Sequence, residues 1–266
     1  MRLAIIFDKL TTFLQYYIVL GGPLASILIS LFFVSYTISD FLIFLVAHFI
    51  MVTCLSFSYH RYFAHKTFDV NRVTQFLIGL IGTLCLHRGP VWWASIHRLH
   101  HQACGTERDP HSPSKGFWTS HFLWLNIPQN RGIQWKYVQD LLKFPELLFL
   151  EYVYLIHIPL ISFLCYYYGG IQAMFAYHLA VTTSLNTIAA VNSVCHENAD
   201  EDCAAKNVSW VAFWGAGEGF HANHHDHPGS AFFGTKWYHF DLSYLLIKLL
   251  GLLGIVKNIR VKRDVS

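Results

Sequence analysis

Long stretches of this chain carry no charge at all. Lys, Arg, Asp and Glu are absent from residues 10–39 and, after Asp40, from residues 41–59. A helix needs about 20 apolar residues to cross a bilayer, so each run predicts one span. A third charge-free run, residues 152–195, is interrupted near its middle by Gly169-Gly170. A glycine pair suits a tight reversal, and the run predicts two spans joined there. The pattern therefore predicts four spans in two hairpins, at approximately 13–36, 41–59, 148–168 and 171–194. Two further apolar pieces, 76–86 and 242–256, are too short to cross and predict helices at the interface, roofing one face of the spans.

The basic residues give an orientation. All 19 lie at the N-terminus (two), within 61–143 (ten) or beyond residue 195 (seven), and the two short hairpin turns carry none. Lys and Arg concentrate in cytoplasmic loops, so both termini and the polar segments 60–146 and 195–266 are expected in the cytoplasm. The opening MRLAIIFDKL has no small-residue cleavage site behind a short apolar core, and a removable signal peptide is not expected. The fold class that follows is an all-α integral membrane protein. It has a single domain over 1–266, with four transmembrane helices in two hairpins beneath a cytoplasmic helical cap.

Composition agrees with this picture, since 54% of residues are hydrophobic and only 13% charged, against roughly 25% charged in soluble domains. A formal charge of +3 is too small to argue for nucleic acid. The six cysteines (54, 85, 104, 165, 195, 203) include no CxxC pair. They predict reduced thiols, with neither a disulfide framework nor a thiolate zinc site.

The histidines change the picture most. There are 17, and HRLHH places His97, His100 and His101 at i, i+3 and i+4, on one helix face. HANHH repeats the spacing with His221, His224 and His225. HRYFAH sets His60 and His65 five apart, where a regular helix would splay them by about 140°, so that pair needs a bend or serves different metals. One such cluster could be a solvated surface. Three, each just outside a predicted span on the same side, point to metal. Eight imidazoles exceed the four ligands of a tetrahedral site, so two ions are implied, and iron, copper, nickel and zinc all accept imidazole.

These segments resemble the membrane-bound fatty acid desaturases, above all the acyl-CoA Δ9 branch with its bacterial members. The resemblance rests on HRYFAHKTF, RGPVWWASIHRLHHQACGTERDPHSPSKGFW, NSVCHE and GEGFHANHHDHPGSA, in the family's order and intervals, and covers most of the chain. It implies a di-iron site in the cap. The implied ligands are His60, His65, His97, His100, His101, His196, His221, His224 and His225, with Asn192 reaching iron through water. It implies O2 as co-substrate, a cis-monounsaturated product and a location in the bacterial inner membrane, with the active site cytoplasmic. It also implies a separate electron donor of ferredoxin, rubredoxin or cytochrome b5 type, consistent with the absence of a haem-attachment CxxCH or a Gly-rich dinucleotide fingerprint.

The substrate's acyl tail is expected between the spans, with its head at the cytoplasmic surface. Two departures from the family pattern bear on that head. Ser95-Ile96 stands where animal acyl-CoA members have Arg-Asp, and of two basic loop residues only Lys115 remains; acyl-CoA is still the expected substrate, with Lys115 meeting the CoA phosphate, while phospholipid and carrier protein stay open. Ala189 stands where those members have a tryptophan near the tunnel bend. Glu107, Asp109, Glu218 and Asp226 are candidates to accept the outer N–H of ligating imidazoles, with His111 and His227 as supports. His48, His157 and His178 stand alone within spans and are expected to be hydrogen-bonded structural residues, while His87, His121 and His239 have no role assigned. The rival readings are a di-iron hydroxylase or ketolase and a histidine-rich metal transporter. The latter would want its ligands along a path at mid-membrane.

Overall fold

The computed structural model describes residues 10–196 and 203–262, which are helical with isolated bridges and no strand. The signal-peptide expectation falls on residues outside those described.

The first helix, α1, runs Leu10–Phe33, and the second, α2, runs Ile38–Ala64; both are long and apolar enough to cross a membrane. Between them, Thr37 and Asp40 cap each other's backbone, with Thr37 N–H donating to Asp40 Oδ2 at 2.8 Å. That is why one carboxylate can sit between two apolar runs: it satisfies amide donors that a helix start leaves open. The last ten residues of α2, Leu55–Ala64, form a π-helical turn.

Helix α3 (Arg72–Gly82) is amphipathic and capped by Asn71. Helix α4 (Pro90–Ala103) starts with proline at its first position, and its free amides at Val91 and Trp92 donate to the buried carboxylate of Glu151. Short helices fill residues 113–149.

The 40-residue helix α5, Tyr154–Ser193, is interrupted at Gly170, whose φ of 75° suits a residue without Cβ. Ser162 Oγ lies 2.8 Å from His178 Nε2. Residues 16 apart on a straight helix would be about 24 Å apart, so the chain folds back at Gly170 and its halves lie side by side. The first half begins at Tyr154, later than the expected 148, because the segment before it forms turns that bring Glu151 beneath α4.

Helices α6 (Ser209–Trp214), α7 (His221–Asp226) and α8 (Leu242–Leu252) complete the cap. Its core gathers Tyr59, Phe63, Phe68, Leu147, Leu150 and Ile247, all nearly inaccessible. The apolar surfaces of α1 and of the Gly170 turn are bare instead, with Phe32, Phe33 and Tyr168 more than 80% exposed. Such surface suits lipid, not water.

The lone span histidines each tie two elements together. His48 reaches Thr183 and the Trp214 carbonyl, His157 reaches Thr83, and His178 sits between Ser26 and Ser162. One cysteine expectation is overturned. Cys104 and Cys203 form a disulfide across 99 residues, while Cys54, Cys85, Cys165 and Cys195 are free. Spacing could not show this, because the pairing depends on the cap folding α4 against the segment that leads into α6.

Candidate metal centre

Three elements carry eight of the nine imidazoles, the π-helical end of α2, the C-terminal half of α4, and α7, and His196 follows the end of α5. The wide turn resolves the awkward five-residue spacing of the first motif. His65 N–H donates to the His60 carbonyl at 3.2 Å, an i to i+5 bond, so the two residues share a face and their ring centroids lie 5.1 Å apart.

Donor atoms of His60, His65, His97, His101 and His224 lie within 4.8 Å of one another. Their Nε2 atoms converge, with His65 to His97 at 2.8 Å, His60 to His224 and His101 to His224 each at 2.9 Å, and His97 to His101 at 3.0 Å. A second group adjoins it. His100 Nε2 is 3.4 Å and His221 Nε2 is 3.1 Å from His225 Nε2, and the His196 ring is 4.7 Å from that of His221. Stacked rings of His101 and His225, 4.5 Å apart, join the groups.

These contacts fit a metal. Ligands at right angles around an ion, each about 2.1 Å from it, stand about 3 Å apart. Crowded lone pairs repel unless a cation lies among them. Burial, reinforced by neighbouring imidazoles, holds His65, His97, His221 and His224 well below the ordinary imidazole range, and burial likewise lowers His196 to about 4. The rings are therefore neutral and available as ligands. Among the described residues, both ring nitrogens of buried His196 lack a hydrogen-bond partner.

Carboxylates hold two of the rings from behind. His60 Nδ1 lies 2.5 Å from Glu218 Oε2, and His100 Nδ1 lies 3.0 Å from Asp109 Oδ1. Burial pushes both acids up, but hydrogen bonds and nearby charge outweigh it and keep both below the carboxylate range. Glu218 also accepts from Ser56 and lies 3.6 Å from Arg61, which is fully buried. Arg61 in turn donates to Asp241 at 2.7 Å and to the Ala231 carbonyl, and lies 3.8 Å over the Phe233 ring. Gly217 is required here: its φ is 108°, and a Cβ would lie 2.5 Å from Asp241 Cγ. The roles of Arg61, Ser56 and Asp241 were not read from the sequence, although Arg61 stands inside HRYFAH.

Other expected residues lie elsewhere. Glu107 and Asp226 are exposed and are not brought to the rings, and His227 is exposed as well. The Lys115 ammonium donates to the carbonyls of Glu107 and Asp109 at 2.8 and 2.7 Å, closing its own loop. His111 is buried against the His100 ring at 4.3 Å. Asn192 lines a cavity together with His97, His111, Trp92, Trp124 and Leu185. Ile188 and Ala189 complete the α5 side of that wall, and His87 and His121, which had no assigned role, also face it.

The Fatty acid desaturase family model matches residues 15–247. The chain is 36% identical over 81% of its length to "Probable lipid desaturase ADS3.2, chloroplastic" of Arabidopsis thaliana, of which it spans 62%. It is 34% identical over 87% of its length to "sn-2 palmitoyl-lipid 9-desaturase" of Nostoc sp. (strain 36), covering 85% of that protein. To "Acyl-CoA 5-desaturase AL21" of Anemone leveillei it is 36% identical over 78% of its length, covering 67% of that protein. With its histidine motifs gathered beside an apolar cavity and a match that runs through nearly all of its helices, this chain belongs to the fatty acid desaturase family.

Proposed function

We propose that the protein introduces a cis double bond into a saturated acyl chain, at the ninth carbon, using O2 and two electrons from a separate donor protein. In balance, one saturated CH2–CH2 unit, O2, two electrons and two protons give CH=CH and two waters. The observation that carries this reading is the convergence of two histidine groups beside a cavity whose walls are mainly aromatic and aliphatic.

His60, His65, His97, His101 and His224 would hold one iron, and His100, His196, His221 and His225 the other, with Asn192 acting through water. Iron at these positions supplies the oxidising power for unactivated C–H bonds, which side chains lack. The protein's own share is placement. Trp92 and Trp124, stacked 6.0 Å apart, and the α5 residues Leu185, Ile188 and Ala189 confine the acyl chain next to His97 and exclude water. Glu218 and Asp109 fix the rings they touch, keeping the Nε2 lone pairs directed inward.

In this reading both helical hairpins cross the membrane. The hairpin turns are far from the histidines: before His60, α2 runs through the 17 α-helical residues Ile38–Cys54, about 26 Å of helix. The cap then lies on one side, in the cytoplasm by the distribution of Lys and Arg.

For the head group, the observations favour a glycerolipid over CoA. Lys115, the residue expected to meet CoA phosphate, is engaged by two carbonyls, and the Nostoc relative, with the fullest mutual overlap of the three described, is named for lipid-bound palmitate. Acyl-CoA is the second reading, supported by the name of the Anemone relative. The test supplies purified protein and a donor system with stearoyl-CoA or a saturated phosphatidyl lipid, and locates the double bond by mass spectrometry. Product from the lipid alone is expected; product from the CoA ester alone overturns the head-group reading, and a hydroxylated product overturns desaturation itself.

A further inference from the structure

The Cα atoms of Cys104 and Cys203 are 5.1 Å apart, and the disulfide between them sits against the second histidine group. Cys104 follows His100 by four residues, immediately past the end of α4. Cys203 Sγ lies 3.4 Å from His225 Nδ1. The two sulfurs and one nitrogen each from His100, His196 and His225 all lie within 4.8 Å of one another. Both cysteines are partly exposed, whereas Cys54, Cys85 and Cys195 are buried. A reductant can therefore reach this bond.

We propose that Cys104 and Cys203 are a reducible pair that decides whether the second histidine group can take a soft metal through sulfur. Sulfur ligates as thiolate, so the disulfide leaves the group with imidazole nitrogens alone. Exchange with an external dithiol breaks the S–S bond, delivers two electrons and two protons to form two thiols, and leaves the dithiol oxidised to a disulfide. Two thiols beside these imidazoles compose the Cys2His2 donor set of tetrahedral zinc. Zinc binding releases two thiol protons to solvent. Zinc has no redox chemistry, so the filled group is silent in electron transfer. Hydrogen peroxide restores the disulfide by accepting the two electrons and two protons and leaving as two waters.

This inference goes beyond the desaturase reading and is tested without substrate, so failure of one does not imply failure of the other. The full chain in lipid nanodiscs is prepared oxidised or reduced with a phosphine, which adds no competing thiol, and is then given equal Fe2+ and Zn2+. Mass tagging should count two more thiols after reduction. Zinc-edge X-ray absorption should show sulfur neighbours at about 2.3 Å only in the reduced protein. The sulfur shell should be lost in C104S/C203S, and equally in wild type alkylated after reduction should that variant fail to fold. An unchanged thiol count, zinc bound to the reduced protein through nitrogen and oxygen alone, exclusion of zinc from the reduced protein, or a sulfur shell that survives loss of both cysteines would each overturn the proposal.

Discussion

His60 and Glu218, 158 positions apart in the chain, meet at 2.5 Å with Nδ1 facing Oε2, both side chains inaccessible to water. The contact joins the end of α2 to the approach to α7, so the first histidine motif takes its polar support from the segment that leads into the third. Ser56 and Arg61 occupy the other carboxylate oxygen. A buried carboxylate and a buried guanidinium each carry a large desolvation penalty unless paired, and removal of one partner strands the other.

Replacing that support tests it. Glu218→Gln keeps the shape but removes the charge, so His60 loses a charge-assisted hydrogen bond. Metal affinity should fall by about 10- to 100-fold, read as iron retained against a graded chelator. Retention equal to wild type would show that the contact does not orient the ring.

The two groups separate in a ligand test. His224→Ala removes a residue of the first group and His100→Ala one of the second. Each should abolish product and lower iron content from two equivalents toward one, with the membrane helices still inserted. Substantial product from either variant refutes the division.

Ala189 is 5% exposed and lines the cavity. Ala189→Trp should block part of the acyl site and shift product toward shorter chains, at a stability cost of about 1–3 kcal/mol for overpacking. An unchanged chain-length profile, measured by gas chromatography of the products, would place the acyl chain elsewhere.

Glu151 supplies a pH signature away from the rings. Burial raises its carboxyl from 4.5 to about 7, against the opposing pull of Arg88 and the amides of Val91 and Trp92. The folded protein thus holds a proton that the unfolded chain has already lost. This contribution is full below pH 4.5 and is lost as pH rises through 7, by up to about 3 kcal/mol. Wild type should therefore lose more thermal stability than Glu151→Gln between pH 5 and pH 8, a difference of a few degrees. Parallel melting curves for the two proteins would be inconsistent with a buried, proton-holding Glu151.

Sequence by itself determined the parts whose cause is local. Charge-free runs specify helices suited to lipid because charge there is expensive, and Gly169-Gly170 marked the reversal that Ser162 and His178 reveal. The i, i+3, i+4 spacing put each histidine triplet on one helix face, a property of helix pitch alone. Tertiary structure decided which group each ring joins. Both triplets are divided: His97 and His101 join one group while His100 faces the other, and His224 parts from His221 and His225. That division depends on the rotation and crossing of α4 and α7. It also chose the carboxylates, taking Glu218 and Asp109 but leaving Glu107 and Asp226 at the surface. His60 and His65 share a face only because α2 widens into a π turn, and Cys104 meets Cys203 only across 99 residues. Such contacts arise from packing between distant segments, which spacing along the chain does not encode.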